Sequence, residues 1–402
     1  MNTFTDAVMH TERLISLRRA LHAAPEIGLE LSATRARVLD ELADLPLEIT
    51  TRDDDGSIVA VLRGTAAGAS ENTVILRADM DALPIRELTG LPFAASGDAM
   101  HACGHDLHTA ILAGAARVLV QQRDNIAGNV VMLFQPGEEG YDGAKRMIEA
   151  GALDASGTRA VAAYALHVTS SRYGSGVVAT RPGPLMAASD VMKVIVHGRG
   201  GHASAPHETL DPIPVACEIV LALQTLMTRR IDAFEPAVLT VGSMHAGSQN
   251  NIIPDSAEFA AAVRTFSEET RTHLIEAATA LCEGIAAAHG LTAEVEWETL
   301  YPVTANDERE AAFVAESAAA LFGAEKVHRM PFPVTGSEDF SRILQQVPGA
   351  MAFLGATPPG EDPANAPFNH SARADFDEDV IPRGAALLAQ LAIGRLESLR
   401  GE

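Results

Sequence analysis

The sequence has few cysteines, few aromatic residues and a shortage of positive charge. Of its 402 residues, 3 are cysteine and 4% are aromatic. An odd and sparse set of cysteines does not build a disulfide framework, and it fits a reducing cytoplasm. With 30 basic against 53 acidic residues, the formal net charge of −23 disfavours contact with phosphate backbones and anionic lipid. We therefore expect a cytoplasmic protein that binds neither nucleic acid nor membranes.

We expect no targeting segment, membrane span or internal repeat in this sequence. The first twelve residues show no basic start followed by an apolar run. No stretch approaches the roughly 20 apolar residues of a membrane span. What the chain does have is 47% hydrophobic and 21% charged residues, which is enough for a sizeable core. Its length suits two or three domains.

The first part of the chain alternates helical periodicity with apolar runs that end in polar residues. Helices are predicted at about 6–23, 34–45 and 106–121, and strands at 57–62, 73–76, 129–134 and 160–166. The last three strands lead into Asp79 and Asp81, into Glu138 and Glu139, and into His167. Open α/β sheets carry their chemistry beyond the carboxyl ends of strands. We predict an α/β fold with a doubly wound mixed sheet.

The pattern changes after Pro184. Between residues 187 and 298 the predicted order is β-α-β-β-α-β, which is typical of a ferredoxin-like α+β domain. The α/β pattern then resumes, with a helix at about 308–322, a strand at 350–354 and a last helix from about residue 378. We predict a discontinuous catalytic domain, residues 1–186 and 299–402, interrupted by an inserted lid or dimerisation domain at 187–298.

The segment Met100–Ala110 contains Cys103 and His105 where a loop becomes a helix. Thiolate sulfur and neutral imidazole are ligands that borderline-soft divalent ions prefer, and the glycine between them permits a tight turn. Taken alone, this segment fits a buried thiol and a hydrogen-bonded histidine equally well. The other candidate ligands are Glu138 or Glu139, His167 and His370. One zinc ion with an open coordination position needs only three protein ligands, so this many candidates at one sheet edge favour two ions. Two ions can polarise a carbonyl and activate water, so the set favours a hydrolase.

Glu138 and Glu139 suggest a division of labour. Adjacent residues in a loop do not comfortably face the same ion, so we expect one carboxylate to bind metal and the other to act as general base. A solvated acidic loop is the alternative interpretation of such a pair. A predicted buried strand leads into this pair, which favours the catalytic interpretation.

Nine short motifs, in register over nearly the whole chain, resemble those of the aminoacylase-type dinuclear metallopeptidases. The closer resemblance is to the amidohydrolase branch, which includes hippurate hydrolase, N-acyl-amino-acid amidohydrolases and plant auxin-conjugate hydrolases. The motifs are Leu21–Glu26 (LHAAPE), Arg77–Pro84 (RADMDALP), His101–Asp106 (HACGHD), Gln135–Glu139 (QPGEE), Ala165–His167 (ALH), Gly198–Ala203 (GRGGHA), Asn251–Pro254 (NIIP), Gly336–Phe340 (GSEDF) and Asn369–Ser371 (NHS).

The resemblance implies a role for each matched residue. Glu138 would be general base and proton shuttle. Asp79 and Asp81 stand where the wider family has a His-x-Asp pair, so His105 would replace the missing histidine and both aspartates would orient ligands. The wider family often has an aspartate at the position of Cys103. The implied ligands of two divalent ions are Cys103, His105, Glu139, His167 and His370.

Three residues of the insert have implied roles in substrate recognition. His202 would stabilise the tetrahedral oxyanion, commonly in the active site of a neighbouring subunit, so the resemblance implies a homodimer through the insert. Asn251 and Arg264 would hold the substrate carboxylate. Without the resemblance, His202 is a surface histidine in a glycine-rich loop and Arg264 a strand-end charge. His101, His108 and Glu338 have no assigned role, and Cys217 and Cys282 are expected in the core.

The expected function is hydrolysis of N-acyl amino acids to a carboxylic acid and an amino acid by a metal-dependent amidohydrolase. Zinc or manganese is expected, with cobalt and nickel compatible. A dipeptidase or an N-acetyl-amino-acid deacetylase is the nearest alternative. More distant alternatives are a hydrolase with Cys103 as nucleophile and a non-catalytic binding protein.

Overall fold

The structure is a computed structural model that describes residues 3–400, so residues 1–2 and 401–402 of the predicted catalytic segments lie outside it. Its α-helices are α1 (Thr3–Val8), α2 (Thr11–His22), α3 (Ser32–Leu42), α4 (His105–Gln121), α5 (Gly143–Glu149), α6 (Pro212–Arg229), α7 (Glu268–Ala288), α8 (Glu308–Phe322), α9 (Ser341–Leu344) and α10 (Ile381–Ser398).

The strands are numbered in the same way. They are β1 (Glu48–Thr51), β2 (Ile58–Arg63), β3 (Thr73–Asp79), β4 (Asn129–Gln135), β5 (Ala162–Thr169), β6 (Val178–Thr180), β7 (Gly183–Met186), β8 (Ala188–His197), β9 (Gly201–His202), β10 (Ala237–Ala246), β11 (Ile252–Ile253), β12 (Ser256–Thr265), β13 (Thr292–Tyr301), β14 (Thr304–Asn306), β15 (Val327–Arg329) and β16 (Gly349–Gly355).

The chain divides into two compact units. The first runs to Leu185 and includes Ala305–Phe332 and the residues from Asp339 onward; the second consists of Met186–Thr304 and Pro333–Glu338. The segment Pro333–Glu338 falls outside the insert expected at 187–298. Its backbone explains its place in the second unit, because Ala187 N donates hydrogen bonds to the carbonyl oxygens of Val334 and Gly336.

The first unit is built on a mixed sheet in the strand order β1-β2-β4-β3-β5-β16-β6-β15. Strands β4, β3, β5 and β16 run parallel to one another, and β2 joins β4 antiparallel. Each of the four parallel strands is buried along its whole length. Helices α4 and α10 pack against each other and against β3. This burial explains why these strands read as continuous apolar runs in the sequence.

The second unit contains a four-stranded sheet in the order β10-β12-β8-β13. All three strand pairings are antiparallel. Helices α6 and α7 pack against each other and on this sheet. Its separate core includes Met192, Ile219, Leu223 and Phe259.

Several sequence predictions differ from the structure, and some strands were not predicted. The first predicted helix is two helices, α1 and α2, because the chain turns at residues 9–10 and the Thr11 hydroxyl donates to the Val8 carbonyl. His167 lies inside β5 and not beyond its end, since pairing with β16 continues to Thr169. The strands that were not predicted are β1, β6, β7, β9, β11, β14 and β15. Cys217, expected in the core, is exposed on α6, whereas Cys282 is buried.

None of the helices within residues 3–400 combines the length and the apolar character that crossing a lipid bilayer requires.

Candidate metal centre

The loop before α4 places Cys103 and His105 side by side. Gly104 between them has φ +82°, a left-handed conformation that glycine adopts without strain. Cys103 and His105 are both buried. The Cys103 Sγ atom lies 3.5 Å from His167 Nε2 and 3.2 Å from His370 Nε2. One thiol therefore contacts two imidazoles that come from distant parts of the sequence.

Hydrogen bonding sets the tautomer of His167. Its Nδ1–H donates to the backbone carbonyl of Val168 at 2.8 Å. A neutral imidazole carries one ring proton, so the lone pair is on Nε2, the nitrogen that faces Cys103. This is the ring orientation that a metal-binding histidine needs.

The turn after β4 carries Glu138 and Glu139, and Asp81 holds its backbone. The carboxylate of Asp81 accepts hydrogen bonds from Glu138 N at 2.9 Å and from Glu139 N at 3.0 Å. Glu138 is buried. The Glu139 Oε1 atom lies 3.2 Å from His370 Nε2. Asp81 thus fixes the place from which both glutamate side chains project.

His370 comes from an irregular loop that is tied to the segment around Cys103. It has φ +70°, and its backbone N–H donates to the Ala102 carbonyl at 2.9 Å. The neighbouring Asn369 donates from Nδ2 to the carbonyl oxygens of Cys103 (3.2 Å) and Val168 (3.0 Å). The His370 side chain is half exposed, so this side of the cluster is open to solvent.

These contacts bring all five predicted ligands together. In three groups the donor atoms all lie within 4.8 Å of one another: Cys103 with His105 and His167, Cys103 with Glu139 and His370, and His105 with Glu138 and Glu139. Cys103, His105 and Glu139 each belong to two of these three groups. Overlapping donor groups are expected where two ions lie close together.

The electrostatics of the cluster favour a thiolate. Burial alone would raise the pKa of Cys103, but the imidazoles of His167, His105 and His370 hold it well below its ordinary value. Hydrogen bonds to Cys103 and Glu139 raise the pKa of His370 to about 10. Burial and the neighbouring Cys103 raise the pKa of Glu139. The thiolate is a donor that a divalent cation can bind.

A buried ion network supports the ends of the parallel strands. Arg77 donates to Asp79 Oδ2 at 2.6 Å, to Asp339 Oδ1 at 2.7 Å and to Gln135 Oε1 at 2.9 Å. The other Asp79 oxygen, Oδ1, accepts from His108 Nδ1 at 2.5 Å. Asp79 therefore has both oxygens engaged by side chains that are not predicted ligands.

A second buried cluster lies at the start of α4. The carboxylate of Asp106 lies 2.8 Å from Arg18 Nε and accepts from His22 Nδ1 at 2.8 Å. The other ring nitrogen of His22 contacts Glu87 at 3.1 Å. His101 is buried nearby, and burial lowers its pKa to about 3. These contacts tie α2 to the turn that carries His105.

The three predicted site residues of the insert belong to the second unit. His202 is exposed on β9, and its Nδ1 accepts from Ser204 N at 3.2 Å. Asn251 lies beside it, because its carbonyl accepts from Ala203 N. Arg264 is half-buried on β12 and donates to the Val263 carbonyl at 2.9 Å. The structure brings His202 and Asn251 together.

Comparison with known proteins then decides the family. Residues 75–393 match the model of peptidase family M20/M25/M40. The chain belongs to this family. Members of this M20 group are metal-dependent hydrolases of amide bonds, and this chain is such an enzyme.

Three similar proteins show how far the M20 likeness extends. Thermostable carboxypeptidase 2 of Saccharolobus solfataricus is 39% identical over 389 residues, which is 94% of each chain. N-acetyl-L-cysteine deacetylase of Bacillus subtilis is 39% identical over 388 residues, covering 96% of this chain and 89% of that protein. A crystal structure of a dinuclear metal-binding M20 peptidase from Bacillus subtilis has 32% identity and a TM-score of 0.82, covering 97% and 99% of the two chains.

The side chains of this M20 chain suit a pair of divalent cations. Both ring nitrogens of His105 are buried without a hydrogen-bond partner among the described residues. Its Nδ1 is 3.5 Å from Asp81 Oδ1, outside hydrogen-bond geometry. A buried imidazole in this condition is costly unless a ligand satisfies it. The set of thiolate, imidazole and carboxylate donors is one that zinc and related ions accept.

Sequence reasoning missed two residues that organise this M20 site. Asn369 links the loop of His370 to Cys103 and Val168, and His108 links Asp79 to Val168. Asn369 stands in a recognised motif, and His108 lies three residues after His105 on one helix face, so both positions carried a signal. Neither signal revealed the partner, because the partners come from other strands and loops.

Proposed function

We propose that this chain is a metal-dependent amidohydrolase that cleaves N-acyl amino acids into a carboxylic acid and an amino acid. The observation that carries the proposal is that the donor atoms of Cys103, His105, Glu139, His167 and His370 form overlapping groups beside Glu138. A carboxypeptidase and an N-acetyl-amino-acid deacetylase both act on an amide whose nitrogen belongs to an amino acid with a free carboxylate. Relatives named for both activities support this substrate class.

The proposed ligands of two divalent ions are Cys103, His105, Glu139, His167 and His370. When bound, the ions would polarise the substrate carbonyl and make water more acidic. The tautomer of His167 supports its role, because its Nε2 lone pair faces Cys103. Asp81 would keep the glutamate turn in place, and Asp79 would balance charge beneath the site. Zinc or manganese suits these donors, with cobalt and nickel compatible.

Glu138 is the proposed general base. Its carboxylate lies within 4.8 Å of donor atoms of His105 and Glu139, so one water molecule can connect it to the reacting atoms. Glu138 would take a proton from the attacking water as the oxygen bonds to the carbonyl carbon. It would return that proton to the amide nitrogen as the C–N bond breaks.

His202, Asn251 and Arg264 are proposed to recognise the substrate. Because Ser204 N–H donates to Nδ1 of His202, the ring proton of the neutral imidazole is on Nε2. That nitrogen can donate to an oxyanion. Arg264 donates one N–H to the Val263 carbonyl, and its guanidinium has further N–H donors that could bind the substrate carboxylate. Asn251 lies beside His202 and would contribute to the same recognition.

We also propose that residues 187–298 form a ferredoxin-like lid through which two chains dimerise, while residues 1–186 and 299–402 form the catalytic domain. The strand order β10-β12-β8-β13, with α6 and α7 packed on that sheet, supports the ferredoxin-like assignment. A reducing cytoplasm is the proposed compartment. Its support is that Cys103, Cys217 and Cys282 are all free thiols.

A substrate screen with a paired variant tests the function. Wild type, Glu138→Gln and the surface control Glu149→Gln are assayed for amino-acid release from N-acetyl, N-benzoyl and indole-acetyl amino acids and from dipeptides. We expect Glu138→Gln to keep its metal and lose about 10²–10⁴-fold in kcat. The control should match wild type. Full turnover by Glu138→Gln, or by chelator-treated wild type, would contradict the proposal.

Within this metal-dependent class, Cys103 as a nucleophile is the alternative mechanism, because Cys103 Sγ lies 3.2 Å from His370 Nε2. Thiol alkylation of the metal-loaded protein separates the two mechanisms. Loss of activity with full retention of metal would favour the nucleophile. If bound metal protects Cys103 from alkylation and activity stays unchanged, the result would favour the metal-activated water mechanism.

A further inference from the structure

Both ring nitrogens of His108 are engaged within the protein. The backbone N–H of Val168 donates to Nε2 at 2.8 Å. Nε2 therefore carries the lone pair, and the single ring proton is on Nδ1. Nδ1 faces Asp79 Oδ1 at 2.5 Å and donates to it. The contacts on the two sides of the ring agree on one tautomer.

This tautomer excludes His108 as a ligand. Asp79, His105 and His108 present donor atoms within 4.8 Å of one another, so by distance alone they could form a further ion site. A metal needs a ring lone pair, and the lone pair of His108 already accepts from Val168. The buried imidazole must serve a different purpose.

The ring of His108 contacts two proposed ligands. It stacks on the His105 ring with centroids 5.2 Å apart and meets the His167 ring edge-on at 4.7 Å. The Val168 amide that it accepts from directly follows His167, and the Val168 carbonyl accepts from His167 Nδ1. A shift of His108 would therefore move both imidazoles.

The far end of this arrangement is anchored. Asp79 receives His108 on Oδ1 and Arg77 on Oδ2, and Arg77 is held in turn by Asp339 and Gln135. Asp79 and Arg77 are both buried. The His108 ring is therefore held in one position, between the fixed carboxylate of Asp79 and the backbone amide of Val168.

We propose that His108 is a positioning residue that braces His105 and His167 for metal binding by joining Asp79 to the Val168 amide. The proposal rests on the proposed function, in which His105 and His167 bind metal. It goes beyond that function by assigning a purpose to a buried histidine that binds neither metal nor substrate. Removing the brace should weaken metal binding and lower kcat, with little change in KM.

Three substitutions of His108 test its hydrogen bonds to Asp79 and to Val168 separately. His108→Leu removes both. His108→Asn retains an amide N–H near the Nδ1 position for Asp79, and His108→Gln extends an amide oxygen toward the Nε2 position for Val168 N–H. His207→Gln changes an exposed histidine and serves as the control.

The readouts are metal dissociation constants from chelator competition, kcat and KM, and the Tm of the metal-free protein. We expect His108→Leu to weaken metal binding about 10–100-fold, as loss of a group that orients a ligand does. The Asn and Gln variants should each lose less than Leu. If His108→Leu does not fold, the Asn and Gln variants carry the comparison.

If all three variants bound metal with the wild-type dissociation constants and had unchanged kcat, the brace would be overturned, even if the Tm of the variants fell. A purely structural histidine would behave in that way. The proposed function fails separately, if wild type itself binds no metal. The two failures are therefore distinguishable in one set of titrations.

Discussion

Cys103 shows how one residue is prepared for metal by its neighbours. A buried thiol normally resists ionisation, yet three imidazoles within the cluster hold its pKa low. Cys103 and neighbouring carboxylates raise the pKa values of His105 and His370, which favours the protonated rings in the metal-free protein. Metal binding must displace those protons, so affinity should depend on pH.

Substitution of Cys103 tests the softness of the site. Cys103→Ala removes a donor from two groups, the one with His105 and His167 and the one with Glu139 and His370. The amount of metal bound per chain should therefore fall at both. Cys103→Asp retains a negative charge but replaces sulfur by oxygen, which should shift preference from zinc toward manganese. Metal competition followed by elemental analysis measures both effects. Cys217→Ser, at an exposed thiol, is the control, and unchanged metal content in Cys103→Ala would contradict the assignment.

At this scale the sequence predicts which side chains gather but not how they are held. Cys103, His105, Glu139, His167 and His370 carry donor chemistry that can be read from residue type, and the structure brings them together. The tautomers of His108 and His167 depend on the backbone of Val168. His167 bonds the backbone of the next residue, whereas His108 accepts from a residue 60 positions away, a contact that no local pattern in the sequence encodes.

The loop that starts α4 is the element on which the site depends. Gly104 combines a positive φ with close packing, since a Cβ atom there would lie 2.4 Å from Val168 Cγ2. Val168 is also the residue that hydrogen-bonds His108 and His167. The backbone path of this turn and the position of β5 are therefore fixed together.

Gly104→Ala should therefore cost both stability and metal affinity. Left-handed strain contributes about 1–2 kcal/mol, and the clash with Val168 adds about 1–3 kcal/mol. Gly151→Ala is a matched control, because Gly151 also has a positive φ but no atom within 4 Å of an added Cβ. Denaturant unfolding and metal titration compare the two. Equal losses in both variants would show that the Val168 contact is unimportant.

Element types were easier to predict than element ends. The apolar run before His167 predicts β5, but its length is decided by pairing with β16, which carries the strand through His167 to Thr169. The short strands β6 and β15 have three residues each, too few to show a pattern. The order of elements in 187–298 was visible because each helix there has a full apolar face.

The whole chain holds two units with separate cores. The second unit has its own buried cluster, to which α6, α7 and the strands of its sheet contribute. Domains with their own core can fold alone. The first unit brings three chain segments together, and the second unit consists of one long segment and the short segment Pro333–Glu338.

We expect the fragment Met186–Thr304 to fold by itself and to unfold cooperatively in thermal circular dichroism. Two leucines on α6 provide matched variants: Leu223 is 0% exposed and Leu221 is 71% exposed. Leu223→Ala should destabilise the fragment by about 2–5 kcal/mol, while Leu221→Ala should have little effect. A fragment without a cooperative transition, or equal effects of the two variants, would contradict an independent core.

The most direct test of the central claim is an anomalous-difference map of zinc-loaded crystals. The account predicts two peaks flanking the Cys103 sulfur at about 2.3 Å, among the side chains of His105, Glu139, His167 and His370. A map with no peak at Cys103, or with zinc bound only away from these side chains, would contradict it.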